Sequence, residues 1–137
     1  MEKTTQWGIL GLGKIAHKFT QDLLLVPGNQ LAAVGSRDAE TAAAFARQYG
    51  ARQAYGNYEA LLADPAVEII YVATPHDSHA QWSIAALEAG KHVLCEKPLA
   101  VNRKQVDAIL EAARRNNRFL MEGLWSRFNP SIQQSLK

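Results

Sequence analysis

Short uncharged runs alternate along the chain with longer stretches whose apolar residues recur every three or four positions. Trp7-Gly8-Ile9-Leu10 is the first run. Ile15, Phe19, Leu23 and Val26 follow it, spaced four, four and three, which is one face of a helix that Pro27-Gly28-Asn29 stops. Leu31-Ala32-Ala33-Val34 reads as a second strand. Asp38 then suits the N-cap of a helix carrying Ala42, Phe45, Ala46 and Tyr49, closed by Gly50. Gln53-Ala54-Tyr55 is a weak strand, and a short helix spans Asn57 to Ala63 before Asp64-Pro65. Ile69-Ile70-Tyr71-Val72-Ala73 carries no charge at all, as expected of a strand buried on both faces of a parallel sheet.

A helix with Ala80, Ile84 and Leu87 on one side leads to Gly90, and His92-Val93-Leu94-Cys95 is the next strand. Asn102 with Gln105 resembles a capping box, ahead of a stripe of Val106, Ile109, Leu110 and Ala113. Phe119-Leu120-Met121 is the last strand. Repeated strand–helix units with right-handed crossovers predict an α/β fold, an open, mostly parallel, doubly wound sheet with helices on both faces. Asn129-Pro130-Ser131-Ile132 resembles the start of a further helix with nothing to pack on. A frayed tail would explain it. The sharper expectation is a dinucleotide-binding domain over 1–125, with 126–137 beginning the connection to a second domain absent from this chain.

Composition narrows the function. The chain has 137 residues, 47% hydrophobic and 20% charged, enough apolar surface for one ordinary domain. A net charge of +2 is too small to argue for nucleic acid. No apolar run approaches the ~18 residues of a membrane helix, and the first residues lack a signal-peptide stretch, so a cytoplasmic domain is expected. The single cysteine, Cys95, excludes an internal disulfide and a multi-cysteine metal site, and reads as a buried strand residue.

The chemistry clusters where strands end. Gly11, Gly13 and Ala16 form Gly-x-Gly-x-x-Ala between a strand and a helix, with Leu12, Lys14 and Ile15 completing the turn. Gly11 supplies the tight turn and Gly13 the close backbone approach to a diphosphate, which the helix N-terminus attracts. An acidic residue at the end of the second strand would hold a ribose 2′-hydroxyl, as in NAD sites. Here Ser36-Arg37 stands instead, and Asp38 lies too late and is needed as a cap. A guanidinium and a hydroxyl suit a 2′-phosphate, so NADP(H) is favoured over NAD(H).

Thr74, His76 and His79 follow the fourth strand and are candidate cofactor-binding residues. The two histidines with Asp77 are too few for a catalytic zinc shell, so no metal is expected, and Ser78 or Asp77 could simply cap the next helix. Glu96-Lys97-Pro98 follows the fifth strand. Lys97 could carry a substrate proton, with Glu96 orienting it and the Lys97–Pro98 bond a candidate cis peptide; a surface ion pair is the alternative. Trp125 and Arg127, after the last strand, could flank a nicotinamide ring or a phosphate, or else pack in the core and face solvent.

Gly-Leu-Gly-Lys-Ile-Ala, Ser-Arg-Asp, Ala-Thr-Pro-His-Asp-Ser-His and Cys-Glu-Lys-Pro-Leu-Ala occur in this order. Together they resemble the glucose–fructose oxidoreductase / inositol dehydrogenase / rhizopine catabolism family. The stretches 94–102 and 121–130 are most similar to its dihydrodiol dehydrogenase branch. The resemblance implies a Rossmann domain for NADP(H) or NAD(H), with Lys97 assisting proton transfer. It implies that Thr74, His76, Glu96, Trp125 and Arg127 line the nicotinamide half of the cleft. It also implies a following substrate domain, a small-molecule alcohol or carbonyl substrate and a homo-oligomeric parent. Hydride would move between nicotinamide and a sugar, polyol or trans-dihydrodiol carbon, with the chain alone not competent for full turnover. The alternatives are a non-catalytic NADP-binding or interaction module and, less favoured because Ser36-Arg37 replaces an acidic residue, a methyltransferase.

Overall fold

The structure, a computed structural model, describes residues 4–123. Six strands form one sheet: β1 (Thr5–Leu10), β2 (Asn29–Gly35), β3 (Gln53–Tyr55), β4 (Ile69–Val72), β5 (His92–Glu96) and β6 (Leu120–Gly123). Every neighbouring pair is parallel, in the order β3-β2-β1-β4-β5-β6. Five helices make the crossovers: α1 (Lys14–Leu23), α2 (Ala39–Tyr49), α3 (Tyr58–Leu62), α4 (His79–Glu88) and α5 (Arg103–Arg115). The doubly wound α/β sheet expected from the pattern is the one observed.

Strand alternation divides the core in two. Ile9, Val34, Tyr71 and Leu94 meet Ala16 and Phe19 of α1 and Phe45 of α2 on one face. Leu10, Ile70, Val72, Val93 and Cys95 meet α3, α4 and α5 on the other. Tyr71 stacks on Phe19 with ring centroids 3.8 Å apart. Lys91 is buried where β5 begins, and its ammonium donates to the carbonyls of Asp64 and Val67 at 2.6 and 2.8 Å. Burial lowers its pKa, and the nearby Asp64 opposes that shift.

Three expectations for single residues fail. Helix α1 stops at Leu23, so Val26 sits in the following turn, 53% exposed, because a residue before proline disfavours helical backbone. Leu110 is on the solvent side of α5, 51% exposed, with Ile109 taking the core position. Strand β6 begins at Leu120. Phe119 bonds the edge of β5 only through its backbone, and its side chain is exposed. The caps are mostly as expected. Asp38 accepts from the Glu40 N–H at 3.1 Å, and Asn102 accepts from the Gln105 N–H at 2.9 Å. The return bond to Gln105, however, comes from the Val101 N–H. No helix among the described residues is long and apolar enough to cross a membrane.

Candidate functional site

A parallel sheet sends all its strand ends to one rim. The order reverses beside β1, whose neighbours are β2 and β4, and such a switch point opens a crevice outside the carboxyl ends. Two adjoining hollows of about 650 and 500 Å³ occupy that rim and share Arg37, Tyr58, Thr74 and Pro75. Gly11, Gly13, Ser36, Arg37, Thr74 and His76 all line them, so three segments far apart in sequence converge there.

The glycine turn fits an anion on physical grounds. Gly11 has φ +97°, and a Cβ there would stand 2.9 Å from backbone atoms of Ala73 and Thr74. Gly13 has the opposite surroundings, with nothing within 4 Å of an added Cβ: its Cα faces open crevice. Gly13 is also the N-cap of α1, which has no side-chain cap and no acidic residue in its first turn. The Lys14 and Ile15 N–H groups and the positive end of the helix dipole are thus left for a ligand, while the Ala16 N–H donates to the Gly13 carbonyl. The Thr74 hydroxyl is buried without a hydrogen-bond partner on the floor of the same crevice. Leu12 and Ile15 are half-buried behind the turn, and Lys14 is exposed.

At the end of β2, both oxygens of the Asp38 carboxylate serve the cap of α2, the first accepting from the Glu40 N–H. The second accepts from the Thr41 hydroxyl at 2.8 Å. Ser36 accepts the Asp38 N–H through Oγ at 3.1 Å, leaving its own O–H free to donate. Arg37 is exposed and stands beside the hydroxyl of Tyr58. Burial pushes the Tyr58 phenol pKa up, and the neighbouring guanidinium partly opposes it. Tyr58 in turn meets Trp82 edge-on, centroids 4.9 Å apart. Neither aromatic was singled out from sequence. The available signal was that α3 starts only three residues past the end of β3, which puts its first side chain at the rim.

Farther along the same rim, past β4 and β5 and outside the lining of the two hollows, most of the polar groups are buried. His76 is exposed, whereas His79 is completely buried with both ring nitrogens on backbone carbonyls; their ring centroids are 5.5 Å apart. Ser78 does not cap α4, because its hydroxyl donates back to the Pro75 carbonyl at 2.9 Å. Among the described residues, no group of three or more His, Cys, Asp or Glu could hold a metal ion. Glu96 is buried and accepts a hydrogen bond from the Tyr71 hydroxyl, a partner 25 residues away that the sequence reading did not find. Burial, then that bond, raises the Tyr71 pKa. Lys97 is exposed at the rim, and the Lys97–Pro98 peptide is cis. Cys95 is buried, with burial pushing its thiol up to about 12. Trp125 and Arg127 lie outside the described residues.

Comparison with known proteins agrees with this geometry. Residues 5–124 match the model of an oxidoreductase family with an NAD-binding Rossmann fold, GFO_IDH_MocA. The chain is 44% identical over 128 residues to trans-1,2-dihydrobenzene-1,2-diol dehydrogenase of Danio rerio, covering 92% of this chain and 38% of the relative. It is also similar to the crystal structure of KijD10, a 3-ketoreductase from Actinomadura kijaniata in complex with NADP. That match has TM-score 0.90 and 33% identity, over 97% of this chain and 42% of the other. An NAD-binding oxidoreductase from Klebsiella pneumoniae matches with TM-score 0.85 and 31% identity, over 93% and 36%. The chain thus spans about two fifths of the length of the relatives it matches.

Proposed function

The chain belongs to the GFO_IDH_MocA oxidoreductase family, whose fold is an NAD-binding Rossmann domain, and from that premise we propose that it serves as the NADP-binding half of a dehydrogenase. The enzyme would act on a hydroxyl-bearing carbon of a sugar, polyol or trans-dihydrodiol. Both the curated relative and KijD10 carry names for alcohol–carbonyl chemistry. The preference for NADP rests on one observation above others. At the end of β2 the Asp38 carboxylate caps α2, one oxygen to the Glu40 N–H and the other to the Thr41 hydroxyl, while Arg37 and the Ser36 O–H line the crevice. A 2′-phosphate would find two donors there, whereas the carboxylate that a ribose 2′-hydroxyl would need is engaged in the helix cap.

The bound nicotinamide would supply hydride transfer. The protein's own residues supply the rest. The α1 N-terminus and Gly13 receive the diphosphate, and Gly11 lets the chain turn beneath it. Lys97, at the nicotinamide end, exchanges the proton of the substrate hydroxyl through Nζ, and Glu96 shapes its surroundings under the restraint of Tyr71. A substrate pocket and the exclusion of water belong to parts of such an enzyme beyond this domain, so turnover by the 137 residues alone is expected to be absent or weak.

Titration of the chain with NADPH and NADH, wild type and Arg37→Ala, tests the preference. Loss of a charge-assisted phosphate contact should cost NADPH about 1.5–3 kcal/mol, roughly tenfold to a hundredfold in Kd. NADH should lose far less. Equal effects on the two cofactors would withdraw the NADP assignment.

A further inference from the structure

One side chain joins the loop after β4 to the loop after β5. His79, the first residue of α4, is completely buried. Its Nδ1 lies 2.7 Å from the Pro98 carbonyl oxygen and its Nε2 lies 2.7 Å from the Thr74 carbonyl oxygen. Carbonyls only accept, so the ring can serve either as donor: a neutral ring donates to one, a doubly protonated ring to both. No ring nitrogen remains to meet a ligand in the crevice. The segment after β5 is held from its other flank as well, because the Leu99 N–H donates to the Glu122 carboxylate at 2.7 Å. Pro98 and Leu99 are therefore fixed by side chains of α4 and β6, and the exposed Lys97 stands directly next to that fixed backbone.

We propose that His79 is a positioning residue rather than a cofactor ligand: it sets the spacing between the β4 and β5 rims, and with it the position of Lys97 and Thr74 at the nicotinamide end. This rests on the placement of the nicotinamide end beside β4 and β5 given above. Reacting groups must be held to a fraction of an ångström, and a misplacement of about 1 Å can cost a hundredfold. A histidine bonded to two separate loops supplies that constraint without touching the ligand.

The test uses the full chain with His79→Phe, which removes both ring nitrogens, and His79→Gln, which keeps an amide donor. Thermal melting first establishes that each variant is folded. Binding is then measured for NADPH and for 2′-phospho-ADP-ribose, which lacks the nicotinamide. His79→Phe should weaken NADPH by about tenfold, leave 2′-phospho-ADP-ribose within about threefold, and speed amide hydrogen exchange in 96–101 relative to β1. His79→Gln should recover most of the NADPH affinity. Equal losses for both ligands, or no loss in a His79→Phe variant whose parent binds both, would overturn the role of His79 alone. A wild-type chain that binds neither ligand would overturn the cleft assignment beneath it. If His79→Phe alone fails to fold, His79→Ala takes its place: a loss confined to NADPH supports the role, and no loss or one shared by both ligands overturns it.

Discussion

At the β1–β2 end of the rim the groups offered to a ligand are open to solvent: a bare, exposed helix terminus at Gly13, the half-buried Ser36 and the exposed Arg37 guanidinium. At the β4–β5 end they are mostly buried and already bonded to one another, His79 to two carbonyls and Glu96 to Tyr71, with Lys97 projecting from them. The two constructions suit two tasks. Gripping an anion needs N–H groups and positive charge that can shed water, and tolerates some motion. Delivering a proton needs one amine held still, and a satisfied buried network gives rigidity that an exposed pair does not. Substitution of the groups at the first end should therefore move affinity, and substitution of Lys97 at the second should move rate.

The largest effect that would break this division is at Lys97. In a chimera joining this domain to the remainder of a dihydrodiol dehydrogenase relative, Lys97→Met should lower kcat by about 10²–10⁴ and leave the NADPH Kd within a few-fold. Unchanged turnover would remove Lys97 from the chemistry. A large loss of NADPH affinity would move it to the gripping end.

Next in size is a pair of glycines two residues apart that should fail for different reasons. Gly11→Ala forces a Cβ to 2.9 Å from fixed backbone at φ +97°, so it should destabilise the fold by about 1–3 kcal/mol, read as a lowered Tm. Gly13→Ala meets open space at an ordinary φ of −81° and should melt nearly as wild type. Its methyl would nevertheless occupy the approach of the diphosphate, so NADPH affinity should fall while stability holds. If Gly13→Ala bound NADPH normally, the diphosphate would have to lie elsewhere.

The same contrast between ends explains what the sequence could disclose. The gripping end is local. Gly11, Gly13 and Ala16 sit in one turn, and Ser36-Arg37-Asp38 in another, so spacing alone carries their chemistry. The β4–β5 end is assembled across the sheet. Tyr71 and Glu96 face each other only because β4 and β5 pair in register, Tyr71 opposite Leu94, and no local pattern announces that bond. His79 looked like a ligand because histidine beside a strand end often is one, and only its burial shows both nitrogens spent. The strands were legible from their apolar runs. Val26, Leu110 and Phe119 were misplaced because a period read along the chain continues past the point where proline, helix rotation or a sheet edge ends it.

The smallest predicted effect bears most directly on how the grip is built. Tyr58 is buried against Trp82, and its hydroxyl stands beside the Arg37 guanidinium. Tyr58→Phe keeps the ring and its edge-on packing and removes only the oxygen that steadies an otherwise exposed cation. NADPH binding should weaken by about 0.5–1.5 kcal/mol, NADH binding should not change, and Tm should shift little. The double variant makes the reading sharper. If Tyr58 acts through Arg37, adding Tyr58→Phe to Arg37→Ala should cost nothing further, a coupling as large as the single effect. If the two losses add, the hydroxyl contributes on its own account. The exposed end of the crevice would then hold a second fixed donor, and its contrast with the buried end would be one of degree.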